Sequence, residues 1–317
     1  MKKNIFNFNT IIKSYQHHAF ALGIILNNEN SYNWLYNNYI QMAYSIIGGL
    51  GSFNFYMDFV MRQPILNRNY LDDEFLDYYN INKVDYIMNA VTFGKYVYLC
   101  VDDYYIPGRP AYKKKHNCHD LLINGYDRHN KEFSVIGYFG RKLSESTIKY
   151  NELEQSNPLF ITLLSLNEDA LFELNIAAIV LQLKQYINIT DNVVIGDVYY
   201  ADYKFGIEAI SELLKSYKKT MDDLKHCDIN QVCIYLEHNL LMKNRIEFIM
   251  KKYSYELFDI SLKYNVVVEK SELLKVLLMK YNACPKINTA NKFLEIFQEI
   301  IELDENCMRQ LINKLEK

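Results

Sequence analysis

Asp102-Asp103-Tyr104-Tyr105-Ile106-Pro107-Gly108-Arg109-Pro110-Ala111-Tyr112, followed after a lysine run by His116-Asn117-Cys118-His119-Asp120-Leu121-Leu122-Ile123-Asn124-Gly125-Tyr126-Asp127, is the stretch that decides the fold. Upstream of it, Tyr96-Val97-Tyr98-Leu99-Cys100-Val101 reads as a buried strand that ends at the paired aspartates. Downstream, His119 to Gly125 and Phe133 to Tyr138 are short β-rich runs on either side of the polar turn Asp127-Arg128-His129-Asn130-Lys131. An antiparallel pair turning there sets His119 opposite about residue 140.

Working outward, Ser14 to Leu26 carries Ala19, Phe20, Leu22, Ile24, Ile25 and Leu26, a helix apolar on most of its surface and suited to threading through a core. Its polar first turn, Ser14-Tyr15-Gln16-His17-His18, is the first place to look for chemistry. Gly48-Gly49-Leu50-Gly51 marks a turn before Phe53-Asn54-Phe55-Tyr56; it lacks the Lys and Ser/Thr of a phosphate-binding loop. Lys83 to Met88 with Thr92 is a mixed segment. Beyond Pro158 come a strand at Phe160 to Leu166, a helix from Leu171 to Tyr186 and a strand at Val193 to Val198. The chain then turns helical. Ile207, Ile210, Leu213, Leu214, Tyr217 and Met221 recur at helical spacing, as do Val232, Leu236, Leu240 and Leu241, and later Leu273, Leu274, Leu277 and Leu278. This is an α/β, more closely α+β, pattern dividing near residue 155, with a first domain over 1–155 and a mainly helical domain over 156–317.

Across 317 residues, 50% hydrophobic content supplies a packed core, and a net charge of -3 gives no bulk reason to expect nucleic acid. Polar residues follow Met1-Lys2-Lys3 where a signal peptide would place its apolar stretch. No uncharged apolar run approaches the ~20 residues that cross a bilayer, so a cytoplasmic protein without membrane contact is expected. Cys100, Cys118, Cys227, Cys233, Cys284 and Cys307 form no CxxC pair, which points to reduced thiols, mostly in the core, with Cys100 an inert one. Cys118 adjoins His119, but neighbouring strand residues point to opposite faces, so those two side chains should not meet. His116, Cys118 and His119 lack a fourth ligand at zinc spacing, and no metal is expected. Lys113-Lys114-Lys115 reads as a solvated loop, with contact to an acidic carrier surface or a phosphate as the functional alternative. Asp102 and Asp103 read as solvated strand-end carboxylates, with binding of a substrate amine as theirs.

The first helix, the Gly49-Leu50-Gly51 turn, the strand ending at Asp102 and the histidine opening a strand that ends Gly125-Tyr126-Asp127 together resemble the butirosin biosynthesis protein H family and related amide-forming enzymes, including the one of closthioamide assembly. Phe205-Gly206-Ile207-Glu208-Ala209-Ile210 and Asn244-Arg245-Ile246-Glu247-Phe248 resemble that family's helical half. The resemblance implies a papain-like, C39-like first domain that moves an acyl group from a carrier-protein thioester to a small amine in natural-product assembly. The acyl group would arrive on an acyl or peptidyl carrier's phosphopantetheine, with no other cofactor. It assigns His119 the proton shuttle and places a cysteine nucleophile at the first helix, where this chain has none before Cys100. The position falls on Ser14 or on His17, according to register. Gln16, Asp102, Asp103 and Tyr138 are the candidate substrate-binding residues; Tyr138 is the one polar candidate opposite His119, where the family would orient its imidazole. Two readings stay open: an acyltransferase using Ser14 and His119, and a catalytically inactive relative that binds a carrier protein or peptide as a scaffold.

Overall fold

The structure, a computed structural model, describes residues 1–47, 50–56, 64–140, 142–190 and 203–317. The expected strand at Val193 to Val198 and the glycines Gly48 and Gly49 lie outside them. In chain order the elements are β1 (Lys2–Lys3), α1 (Gln16–Ile25), α2 (Ser31–Asn37), β2 (Met42–Ile47), β3 (Leu50–Phe55), β4 (Leu66–Leu71), α3 (Asp73–Tyr78), α4 (Lys83–Thr92), β5 (Tyr96–Asp102), β6 (Cys118–Asp127), β7 (Glu132–Phe139), β8 (Lys142–Lys149), α5 (Tyr150–Gln155), β9 (Ile161–Leu166), α6 (Ile176–Tyr186), β10 (Lys204–Phe205), α7 (Gly206–Asp222), α8 (Ile229–Lys252), α9 (Phe258–Ala283) and α10 (Ile287–Leu315). Helices and antiparallel sheets are mixed, an α+β protein. No helix among the described residues is long and apolar enough to cross a membrane.

Two compact units are present, each discontinuous in sequence: Met1–Ser31 with Asp58–Leu171, and Tyr32–Met57 with Phe172–Lys317. The division near residue 155 therefore falls inside the first unit. Segment 32–57 belongs with the helical half because β2 pairs with both β3 and β10, and because α8 residues bond to its backbone.

The first unit is built on an antiparallel sheet in the order β4-β9-β5-β6-β7-β8, with β1 alongside β6. Strand alternation makes its faces. Val97, Leu99 and Val101 are fully buried, whereas Tyr98, Cys100 and Asp102 between them are half-buried. The first set joins Leu121, Ile123, Phe133 and Val135 in a core covered by Val84, Ile87, Met88 and Val91 of α4. That helix replaces the mixed segment read from Lys83 onward; Asn82 caps it by accepting from the Asp85 N–H. Phe20 of α1 meets Tyr98 edge-on, so α1 lies against the opposite face. All of Ala19 to Ile25 is buried, as an all-round apolar helix requires. The β6–β7 turn is held by Asp127, whose Oδ1 accepts from the His129 and Asn130 N–H groups at 2.9 and 3.2 Å.

In the second unit, β10-β2-β3 form a small sheet beside α2 and the helices α6 to α10. Arg245, wholly buried, ends α2: its Nε donates to Tyr36 O at 2.9 Å and its Nη2 to Asn38 O and Tyr39 O at 2.6 and 3.1 Å. A cation at a helix C-terminus satisfies carbonyls that have no partner within the helix. A polar cluster runs through the core: Asp304 accepts from Tyr186 and Tyr264 hydroxyls at 2.5 and 2.7 Å, and Asn239 donates to Ser271 Oγ at 2.9 Å.

Candidate functional site

The first turn of α1 and the start of β6 do come together. The β6–β7 ladder stops at the pair Leu122 and Ile136, although both strands run further toward the N-terminus of β6 and the C-terminus of β7. The backbone groups left open there are taken up by two side chains. Gln16 Oε1 accepts from the Tyr138 N–H at 3.3 Å. Arg109 Nη1 donates to Tyr138 O at 3.2 Å, and Nη2 to Asp120 O at 2.6 Å. Arg109 Nη1 also reaches Gln16 Oε1 at 3.4 Å, so the carboxamide and the guanidinium fill one gap between splayed strands. Gly137 makes room: a Cβ there would stand 2.6 Å from Arg109 Nη2.

This network orients Gln16. With Oε1 accepting, Nε2 is the donor, and it lies 2.6 Å from His119 Nδ1. His119 Nδ1 is then an acceptor, and the proton of the neutral imidazole sits on Nε2. In this tautomer His119 presents an exposed N–H donor. It is not poised as a base.

Asp103 and Arg109 are both 4% exposed, and the Asp103 carboxyl lies 3.4 Å from Arg109 Nε. Neither Asp103 Oδ1 nor Arg109 Nε has a hydrogen-bond partner, so the pair is Coulombic. Burial pushes the Asp103 carboxyl up, against the lowering influence of Arg109. Asp102, on the other face of the strand end, accepts through Oδ1 from the Tyr104 and Asn117 N–H groups, each at 3.0 Å. Its Oδ2 meets His116 Nδ1 at 2.6 Å. Burial raises Asp102, but the His116 and backbone hydrogen bonds prevail and hold it below the usual carboxylate range. A carboxylate only accepts, so His116 donates through Nδ1, and in the neutral ring Nε2 carries the lone pair. The chain's base-equipped imidazole here is His116, stacked on Tyr104 at 4.5 Å, and His119 is its donor-equipped neighbour.

The candidates thus fall in two places. Gln16, His119, Asp103 and the Tyr138 backbone converge around Arg109, a residue that sequence reading did not single out. The signal available in the sequence was Gly137, a residue without a side chain in a strand, which leaves the space the guanidinium fills. Ser14 and His17 are half-buried at the approach to and in the first turn of α1, with the His17 ring 4.2 Å from His18. It is Gln16 whose side chain meets His119. Asp102 and Asp103 are engaged by His116 and Arg109, which corrects their reading as solvated strand-end carboxylates.

The cysteine reading is also corrected. Cys100 and Cys118 form a disulfide, and Cys100 is half-buried instead of a core thiol. The register explains it: Cys100 faces Asp120 and Asp102 faces Cys118, so the two cysteines are diagonal neighbours on one face. Among the described residues, no group of three or more His, Cys, Asp or Glu side chains is arranged to hold a metal ion. Comparison with known proteins finds no matching protein-family model and no significantly similar curated protein.

Proposed function

We propose that this chain is a papain-like relative of the amide-forming acyltransferases whose nucleophile position is held by Gln16, and that it binds an acyl- or peptidyl-carrier partner without forming a covalent intermediate. The observation that carries this reading is the 2.6 Å contact between Gln16 Nε2 and His119 Nδ1. In a working site of this kind a thiol or hydroxyl faces the imidazole and gives up its proton to it. A carboxamide there has no nucleophilic atom, and it fixes the tautomer that donates. What remains is recognition: an exposed His119 N–H suited to a carbonyl, and the exposed Lys113-Lys114-Lys115 run suited to a phosphate or an acidic helix. Acyl transfer to a small amine through Ser14 is the second reading, favoured by the place of Ser14 two residues ahead of Gln16 at the approach to the α1 N-terminus.

Intact-protein mass spectrometry and calorimetry with acyl-loaded carrier proteins separate the two. Binding is expected without a covalent adduct or amide product, weakened about tenfold when Lys113, Lys114 and Lys115 are all replaced by Glu. An acyl adduct lost in both Ser14→Ala and His119→Ala establishes acyl transfer instead. Absence of any carrier binding removes the scaffold reading.

A further inference from the structure

The Cys100–Cys118 bond has two unlike ends. Cys118 is exposed and Cys100 is half-buried. A cleft of about 360 Å³ opens at Cys118, with His116 and Asp102 on its wall beside Asn117, Ser156, Asn157 and Leu159. His116 is therefore in the same cleft as the exposed sulfur, with its ring held by Asp102 and Tyr104 and its Nδ1 engaged, so that in the neutral ring Nε2 is the nitrogen able to take a proton. The arrangement has an accessible electrophilic sulfur, a base fixed by a carboxylate and space for a small molecule beside them.

We infer that Cys100–Cys118 is a thiol-exchange site for low-molecular-weight thiols, entered at Cys118, with His116 as its base. The external thiol gives its proton to His116 Nε2, and its sulfur bonds to Cys118 Sγ as the Cys100–Cys118 bond breaks. Cys100 leaves as a thiolate and takes up a proton. A second external thiol attacks the external sulfur of the mixed disulfide and releases Cys118 as a thiol. Two external thiols are oxidised to one disulfide, and the protein disulfide is reduced by the same two electrons. The size of the cleft, and the Asn117 and Asn157 amides that line it beside His116, suit a glutathione-like thiol. This inference rests on the disulfide and its cleft, and it stands whether or not the Gln16–His119 site binds a carrier.

The test uses the full chain in two portions: one is quenched with an alkylating reagent as it is isolated, and the other, unalkylated, is mixed with reduced or oxidised glutathione; both are mapped by peptide mass spectrometry. Cys284, an exposed free thiol, serves as an internal reference. Reduced glutathione is expected to trap on Cys118 and not on Cys100 in the wild type. With oxidised glutathione, Cys100→Ser is expected to react at Cys118 at least about tenfold faster than Cys118→Ser reacts at Cys100, and faster than Cys284. His116→Gln should slow the Cys118 reaction about tenfold, with an unchanged urea midpoint. Equal rates at the two sulfurs overturn the inference. So does an unaltered rate in His116→Gln, or alkylation of both Cys100 and Cys118 before any reductant is added. Trapping in the wild type decides the matter even where a single-cysteine variant fails to fold.

Discussion

Asp304 and His238 lie fully buried in the same helical unit and respond to acid in opposite directions. Burial outweighs the two tyrosine hydrogen bonds on Asp304 and raises its carboxyl from 3.8 to about 6. Burial also lowers His238 from 6.5 to about 4, against its hydrogen bond to Ile40 O at 2.9 Å. Asp304, with its folded value raised, contributes stability below pH 3.8 that is lost as pH rises through about 6. His238, with its folded value depressed, contributes stability above pH 6.5 that is lost as pH falls through about 4. Between neutral pH and pH ~4, Asp304 therefore gains about 2 kcal/mol while His238 loses about 3 kcal/mol, each unit of difference between the folded and unfolded values being worth roughly 1.4 kcal/mol. The two nearly cancel in the wild type. Removing either partner exposes the other. Urea unfolding at neutral pH and near pH ~4 should show Asp304→Asn losing about 2 kcal/mol more than wild type on acidification, and His238→Asn about 3 kcal/mol less. Comparing each variant with wild type removes the contribution of the other carboxylates. Variants that follow the wild-type pH dependence within error would refute the reasoning.

Arg245→Ala should cost about 3 kcal/mol or more in urea unfolding, because it leaves the Tyr36, Asn38 and Tyr39 carbonyls of the α2 terminus buried without their donor. An exposed-arginine cost, within about 0.5 kcal/mol, would remove that capping role. Gly206→Ala should destabilise by well over the ~1 kcal/mol of an ordinary left-handed alanine, since at φ 55° the added Cβ would stand 1.9 Å from Tyr186 O. A thermal melt unchanged by that substitution would contradict the close approach.

Strand and helix existence was legible where periodicity is local. Tyr96 to Val101, the hairpin flanking Asp127 and the α7 to α9 repeats need only their own residues to declare themselves. The α6 helix starts at Ile176, later than the apolar run from Leu171 suggests, because Asn175 caps it by accepting from the Ala178 N–H at 3.0 Å. Relations between segments were less legible. The disulfide depends on the register that sets Cys118 against Asp102, which composition cannot supply. Segment 32–57 joins the helical unit through pairings with residues near 205, a contact of high sequence separation. Gln16 was legible as a candidate substrate-binding residue; its contacts with Arg109, Tyr138 and His119 follow from the early end of the β6–β7 ladder, where side chains take over from backbone partners.

The most direct test of the central claim is Gln16→Cys. If position 16 faces His119 as the nucleophile of this kind of site would, the introduced thiol should be alkylated at least about tenfold faster than Cys284 and should take up an acyl group from a carrier thioester. Both gains should vanish in the Gln16→Cys, His119→Ala double variant, while the wild type stays free of adduct. An inert thiol at that position, or a wild-type adduct mapping to Ser14, would contradict the account.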